Sequence, residues 1–168
     1  DLVHHSDLPA MSGLGSSSSF SVGLINCLNH FTKQKQSKLE IALNAINLEQ
    51  NILKENVGCQ DQLAAAYGGL NLYKLKKNSN HSVIPINLKS KDKLKLENSC
   101  FLIFTGFTRN ASKIAKDQIS RINMNNNYLD SMNEITKEAY KIFDGNNFKL
   151  NDLFELLNEQ WKIKQMLS

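Results

Sequence analysis

Residues 12–20 read SGLGSSSSF, two glycines around a leucine and then four serines running into an apolar stretch. Such a segment is either a flexible linker or a turn that feeds a helix. A linker stays polar on both sides, whereas here Phe20, Leu24, Leu28 and Phe31 recur at helical spacing with Ile25 beside them. That spacing predicts an amphipathic helix starting near Ser16 or Ser17. Serine is a favoured N-cap, so the run has a purely structural use. A glycine-rich turn ahead of a helix also offers free N–H groups and the positive end of the helix dipole to an anion. Gly13 and Gly15 let the backbone approach a phosphate closely, and the serine hydroxyls can donate to phosphate or ligate Mg²⁺. Two familiar phosphate motifs are excluded. No Gly-Lys-Ser/Thr ending is present, and Ser18 stands where a dinucleotide fingerprint needs its third glycine.

Further along, a second helix is expected from about Leu39 to Leu53, its apolar stripe on Ala42, Ala45, Ile46 and Leu53. A short helix is expected from about Gln60 to Tyr67, stopped by Gly68-Gly69. Strand signals follow at Leu70–Lys74 and Val83–Leu88, and the apolar run CFLIF (100–104) reads as a buried central strand. Three helices are expected to close the chain, over about 110–124, 128–143 and 150–166. Trp161, Leu153, Phe154 and Leu157 read most simply as helix core. Helices, then strands, then helices argue for the α+β class.

The bulk numbers narrow the function classes. A formal charge of +4 is too small to argue for nucleic acid, and no apolar run reaches the ~20 residues of a membrane span. Three cysteines, odd in number and widely spaced, fit free thiols in a reducing compartment. No His/Cys spacing suits zinc, and no Gly-x-Ser-x-Gly elbow supports a hydrolase.

Two carboxylates stand out. Glu49 lies on the inward stripe of the second helix, where a carboxylate is costly unless paired or bound to a metal. Its simpler reading is a helix-end glutamate reaching water. Asp61, in GCQDQ, has a simple use in the first turn of the short helix. Phosphoryl transfer would use the same parts: a phosphate cradle, a carboxylate for Mg²⁺ and a carboxylate near the attacking hydroxyl.

With those residues in view, the segment DLPAMSGLGSSSSFSVGLINCL (7–28) resembles the second signature of the GHMP kinases, through Pro9, Gly13, Leu14, Gly15, Ser16 and Ser17. EQNILKENVGCQDQLAAAYGGLN (49–71) resembles the same superfamily's Glu-to-Asp segment. The wording is most similar to the bacterial D-glycero-D-manno-heptose 7-phosphate kinases, through Ser16–Phe20, VGCQDQLAAAYGG and FTGFTRNAS (104–112).

The resemblance implies a two-domain α+β GHMP-kinase-like fold. Its N-terminal domain is similar to a ribosomal protein domain, and its C-terminal domain is ferredoxin-like. Residues 1–95 would be the later part of the first domain and 96–168 the beginning of the second. It implies that Gly13, Leu14, Gly15, Ser16, Ser17 and Ser18 hold the ATP phosphates, and that Ser17 (or Ser16) and Glu49 ligate Mg²⁺. Asp61 would act on the sugar's anomeric hydroxyl, and Arg109, equally readable as a surface residue, would contact the sugar phosphate. The implied protein is a cytoplasmic kinase acting on a heptose 7-phosphate, with no nucleic-acid or membrane partner and an open oligomeric state. Alternatives are a GHMP kinase for fucose or galactose, or a non-catalytic nucleotide- or sugar-binding relative. The superfamily's first and last signatures are missing and the chain starts at Asp1 without methionine, so a fragment is expected.

Overall fold

The computed structural model describes residues 3–5, 7, 13–76, 80–104, 106, 115–116, 119, 126–144 and 148–166. Helices dominate, with one two-stranded sheet, in keeping with a mixed α+β chain. The chain divides into two compact units. The first holds residues 1–69, 73–82 and 103–115, and the second holds 70–72, 83–102 and 116–168.

The first unit is built on α1 (Ser16–Phe31), α2 (Lys38–Asn47), a π-helical turn (Leu48–Ile52) and α3 (Gln60–Tyr67). All three α-helices pack against one another. Val22, Ile41 and Ala45 form the core, with Ile25 and Ala66 against it. Burying a side chain the size of Val22 or Ile41 contributes about 1.5–3 kcal/mol. α2 starts on a capping box: the Ser37 hydroxyl accepts from the Glu40 backbone N–H at 3.2 Å, and the Ser37 backbone N–H donates to Glu40 at 2.6 Å. Gln36 joins α1 to α2 by accepting from Asn29 at 2.9 Å and from Asn44 at 3.0 Å. Lys38 Nζ donates to the Tyr67 carbonyl at 3.0 Å, placing a cation on the negative end of α3.

The face that α1 buries is not its most apolar one. Ser18, Ser21, Val22 and Asn29 are inside, while Leu28 is 51% and Phe31 84% exposed. Small side chains allow the closer helix approach, and Ser21 satisfies its hydroxyl within the helix by donating to the Ser17 carbonyl at 3.1 Å. The expected stripe of α2 also breaks at its end. Ala42, Ala45 and Ile46 are buried as expected, but Leu53 is 58% exposed. The π turn, closed by Leu53 N–H to the Leu48 carbonyl at 2.9 Å, fits an extra residue into one turn and rotates everything after it off the stripe.

β1 (Asn71–Lys74) and β2 (Ser82–Pro85) pair as the sheet, with the Ile86 N–H donating to the Leu70 carbonyl at 2.9 Å beside it. β2 is shorter than the expected Val83–Leu88. In the second unit α4 (Ser90–Glu97) is a helix that the apolar pattern does not announce, since it buries no residue. An i,i+4 ion pair, Lys93–Glu97, lies along it at 3.8 Å. α5 (Asn126–Asp144) and α6 (Leu150–Met166) pack together around Ile135, Leu150 and Leu153. Trp161 and Leu157, expected in the core, are more than half exposed, because the inward face of α6 runs through Leu150, Leu153, Leu156, Gln160 and Ile163 and leaves them off it.

The run 100–104 is not a buried strand. It forms no ladder among the described residues, and Phe101, Leu102 and Ile103 are all more than 70% exposed. A continuous apolar run can be buried as a strand only if neighbours pair with both its edges. The expected helix over 110–124 lies almost wholly outside the described residues.

Candidate functional site

The site is assembled at the start of α1. Gly15 is the N-cap, in the left-handed region at φ 67°, and no side chain caps the helix. The serines therefore do not take up the capping role open to them. The first helical hydrogen bond runs from the Ser19 N–H to the Gly15 carbonyl at 2.9 Å, so the N–H groups of Ser16, Ser17 and Ser18 precede the ladder. Gly13 is also left-handed at φ 78°. The Gly13–Ser18 turn thus has the backbone shape and the donors of an anion cradle.

Asp61 reaches this turn from α3. A Cβ placed on Gly15 would stand 3.3 Å from Asp61 Oδ2, so glycine at 15 suits its left-handed φ and leaves room for the carboxylate lying over it, which a side chain would crowd. Asp61 itself is exposed, in the first turn of a helix whose N-cap, Cys59, makes no side-chain cap. The connector leading to it is tied down by Gln50, whose Nε2 donates to the Val57 carbonyl at 2.8 Å.

Glu49 reaches the same helix start from the π turn. It is 1% exposed, and its Oε2 accepts from Ser18 Oγ at 3.0 Å and from Gln62 Nε2 at 2.8 Å. Its other oxygen, Oε1, is buried without a hydrogen-bond partner among the described residues. Neither ion pair formed by the described residues involves Glu49. A buried carboxylate with one oxygen unanswered is the kind of group that a cation compensates. No group of three or more His, Cys, Asp or Glu among the described residues is arranged to hold a metal. Mg²⁺ does not need one, since it is commonly held by one or two carboxylates together with substrate phosphates and water. The donors present fit that ion.

The structure thus brings Gly13, Leu14, Gly15, Ser16, Ser17, Ser18, Glu49 and Asp61 to one helix start. Ser18 differs from its neighbours: its side chain is buried and its hydroxyl donates inward to Glu49. Ser17 is exposed. Arg109 lies outside the described residues. Gln62 went unnoticed in the sequence, although Leu63 and Ala66 mark an inward stripe on α3 that includes it. The test that singles out Glu49, a polar residue at an inward position, picks out Gln62 as well. Cys59, beside this loop, is partly buried, and desolvation raises its thiol pKa.

Residues 1–69 match the family model described as GHMP kinases N terminal domain. The chain is 30% identical, over 98% of its length, to the D-glycero-alpha-D-manno-heptose 7-phosphate kinase of Campylobacter jejuni, covering 48% of that protein. It is 26% identical, over 96% of its length, to the bifunctional fucokinase/GDP-fucose pyrophosphorylase of Arabidopsis thaliana, covering 16% of that protein. The chain therefore spans about half the length, or less, of the curated relatives it matches.

Proposed function

We propose that this chain, whose residues 1–69 match the family model described as GHMP kinases N terminal domain, is the phosphate-binding and catalytic portion of an ATP-dependent sugar kinase. The observation that carries the proposal is the convergence of two carboxylates from different elements on one glycine turn, Asp61 against Gly15 and Glu49 against Ser18. The favoured substrate is a D-glycero-D-manno-heptose 7-phosphate, phosphorylated at its anomeric hydroxyl. That choice is supported by the 30% identity to the Campylobacter jejuni kinase.

The roles are those the resemblance implies, and the geometry supports them. The N–H groups of Ser16–Ser18 and the Gly13–Gly15 backbone bind the ATP phosphates, aided by the dipole of α1. Glu49 Oε1 and the exposed Ser17 hydroxyl would hold Mg²⁺, which when bound draws charge off the transferring phosphoryl group. Asp61, exposed and lying over the turn, would orient the sugar hydroxyl toward that phosphoryl group and accept its proton. With a loose transition state, orientation contributes more than proton removal. Arg109 is proposed as a contact for the sugar phosphate. Residues 1–95 would belong to the N-terminal and 96–168 to the ferredoxin-like C-terminal domain of the parent fold. No helix among the described residues is long and apolar enough to cross a membrane.

A fucose-type kinase is the second reading, favoured by the similarity to the Arabidopsis thaliana protein. A panel of sugars offered with ATP to the full-length protein tests both. Turnover with heptose 7-phosphate and little with free hexoses is expected. Preference for fucose or another free hexose would overturn the substrate choice, and ATP binding without turnover on any sugar would overturn the enzyme reading.

A further inference from the structure

Glu49 does not present its two oxygens alike. Both hydrogen bonds it accepts, from Ser18 Oγ and Gln62 Nε2, end on Oε2. A carboxylate oxygen has two lone-pair sites, so Oε2 is saturated while Oε1 keeps both of its own. Neither donor is incidental. Ser18 is 5% and Gln62 1% exposed, and they come from the first turns of α1 and α3, the two helices that also carry the glycine turn and Asp61. Gln62 can turn only one end of its amide to an acceptor. With Nε2 on Glu49, its Oε1 is left buried and unanswered, a cost taken on to hold the carboxylate.

We infer that Ser18 and Gln62 are positioning residues that occupy Oε2 of Glu49 and leave the unpartnered Oε1 as the one oxygen it can give to a cation, so that the site selects Mg²⁺ or Mn²⁺ over Ca²⁺. This rests on the kinase reading. Its physical basis is the difference between the ions. Ca²⁺ commonly takes a carboxylate through both oxygens in a loose, high-coordination shell, whereas Mg²⁺ takes few carboxylate oxygens in a strict octahedron. A glutamate with one oxygen already saturated cannot chelate through both. Freeing Oε2 would make two-oxygen chelation accessible and remove the bias against the larger ion.

The test uses the full-length protein with ADP, titrated with Mn²⁺ and followed by water-proton relaxation, with Ca²⁺ as competitor. Ser18→Ala and Gln62→Met should each weaken Mn²⁺ binding about 10–100-fold, the usual effect of losing a partner that orients a ligand. Both should also let Ca²⁺ compete better relative to Mn²⁺. Ser18→Thr, which keeps the hydroxyl, should restore affinity and ion preference. A merely structural role would weaken both ions alike and leave their ratio unchanged, and that result, or wild-type Mn²⁺ binding in Ser18→Ala, overturns the inference. If Gln62→Met fails to fold by circular dichroism, the Ser18 pair decides. Glu49→Gln separates the two layers. Loss of Mn²⁺ in that variant keeps the metal role of Glu49 whatever Ser18 and Gln62 do. Mn²⁺ binding unchanged in that variant, or absent from the wild type, overturns both.

Discussion

Asp61 covers Gly15 so closely that a Cβ at position 15 would meet its Oδ2 at 3.3 Å, tighter than ordinary van der Waals contact. Gly13, two residues earlier, shares the left-handed backbone but has nothing among the described residues within 4 Å of the same position. Gly13→Ala and Gly15→Ala should therefore both lower stability by about 1–2 kcal/mol, the cost of a side chain in that backbone region. Only Gly15→Ala should also push Asp61 aside. Thermal melts of the two variants should be similar, and the loss of turnover should be much larger for Gly15→Ala.

Glu49 carries a buried oxygen that nothing answers among the described residues. Glu49→Gln should leave the metal-free protein as stable as the wild type or more so, because an uncompensated buried charge is removed. It should weaken stabilisation by Mg²⁺ with ADP. At a hundredfold excess over Kd that stabilisation is about 2.7 kcal/mol, and a hundredfold loss of affinity reduces it to about 0.4 kcal/mol. Differential melting with and without Mg²⁺ and ADP measures both effects.

The capping box of α2 gives a pH-dependent prediction. The Ser37 backbone N–H at 2.6 Å and hydroxyl at 2.7 Å hold the Glu40 carboxyl below its ordinary pKa. A depressed pKa stabilises the fold above the unfolded-state value and loses that contribution as pH falls through the folded one. Glu40→Gln should thus be less stable than wild type at neutral pH, and the gap should close in acid. Ser37→Ala should cost about 1 kcal/mol by loss of the cap. Urea melts at several pH values check both.

Cys59 should resist alkylation. Burial raises its thiol pKa, while Cys27 and Cys100 are exposed. The thiolate is the reacting species, so iodoacetamide at pH 8 should label Cys27 and Cys100 several-fold faster than Cys59. Peptide mass spectrometry over time gives the order.

Much of the site was legible because its chemistry is local. The glycine turn, the helix behind it and Asp61 in the first turn of α3 depend on short-range spacing, and α5 and α6 follow from helical periodicity. The misreadings came where packing decides. Phe20, Leu24, Leu28 and Phe31 make the more apolar face of α1, but the smaller Ser18–Ser21–Val22 face is the one that approaches α2 and α3. The π turn that rotates Leu53 outward leaves no compositional trace. Phe101–Phe104 has the composition of a central strand, but a strand exists only through neighbours that pair with it. Gln62 stands on an inward stripe that the sequence shows, but its pairing with Glu49, 13 residues earlier in another element, does not show in local spacing.

The central claim is that Asp61 acts on the sugar hydroxyl over a bound triphosphate. It is tested most directly by Asp61→Asn in the full-length protein, measuring turnover of heptose 7-phosphate and ATP affinity together. The account predicts a fall in kcat of about 10²–10⁴-fold, the range of a positioned acid–base group, with ATP binding retained. Turnover near that of the wild type would contradict it.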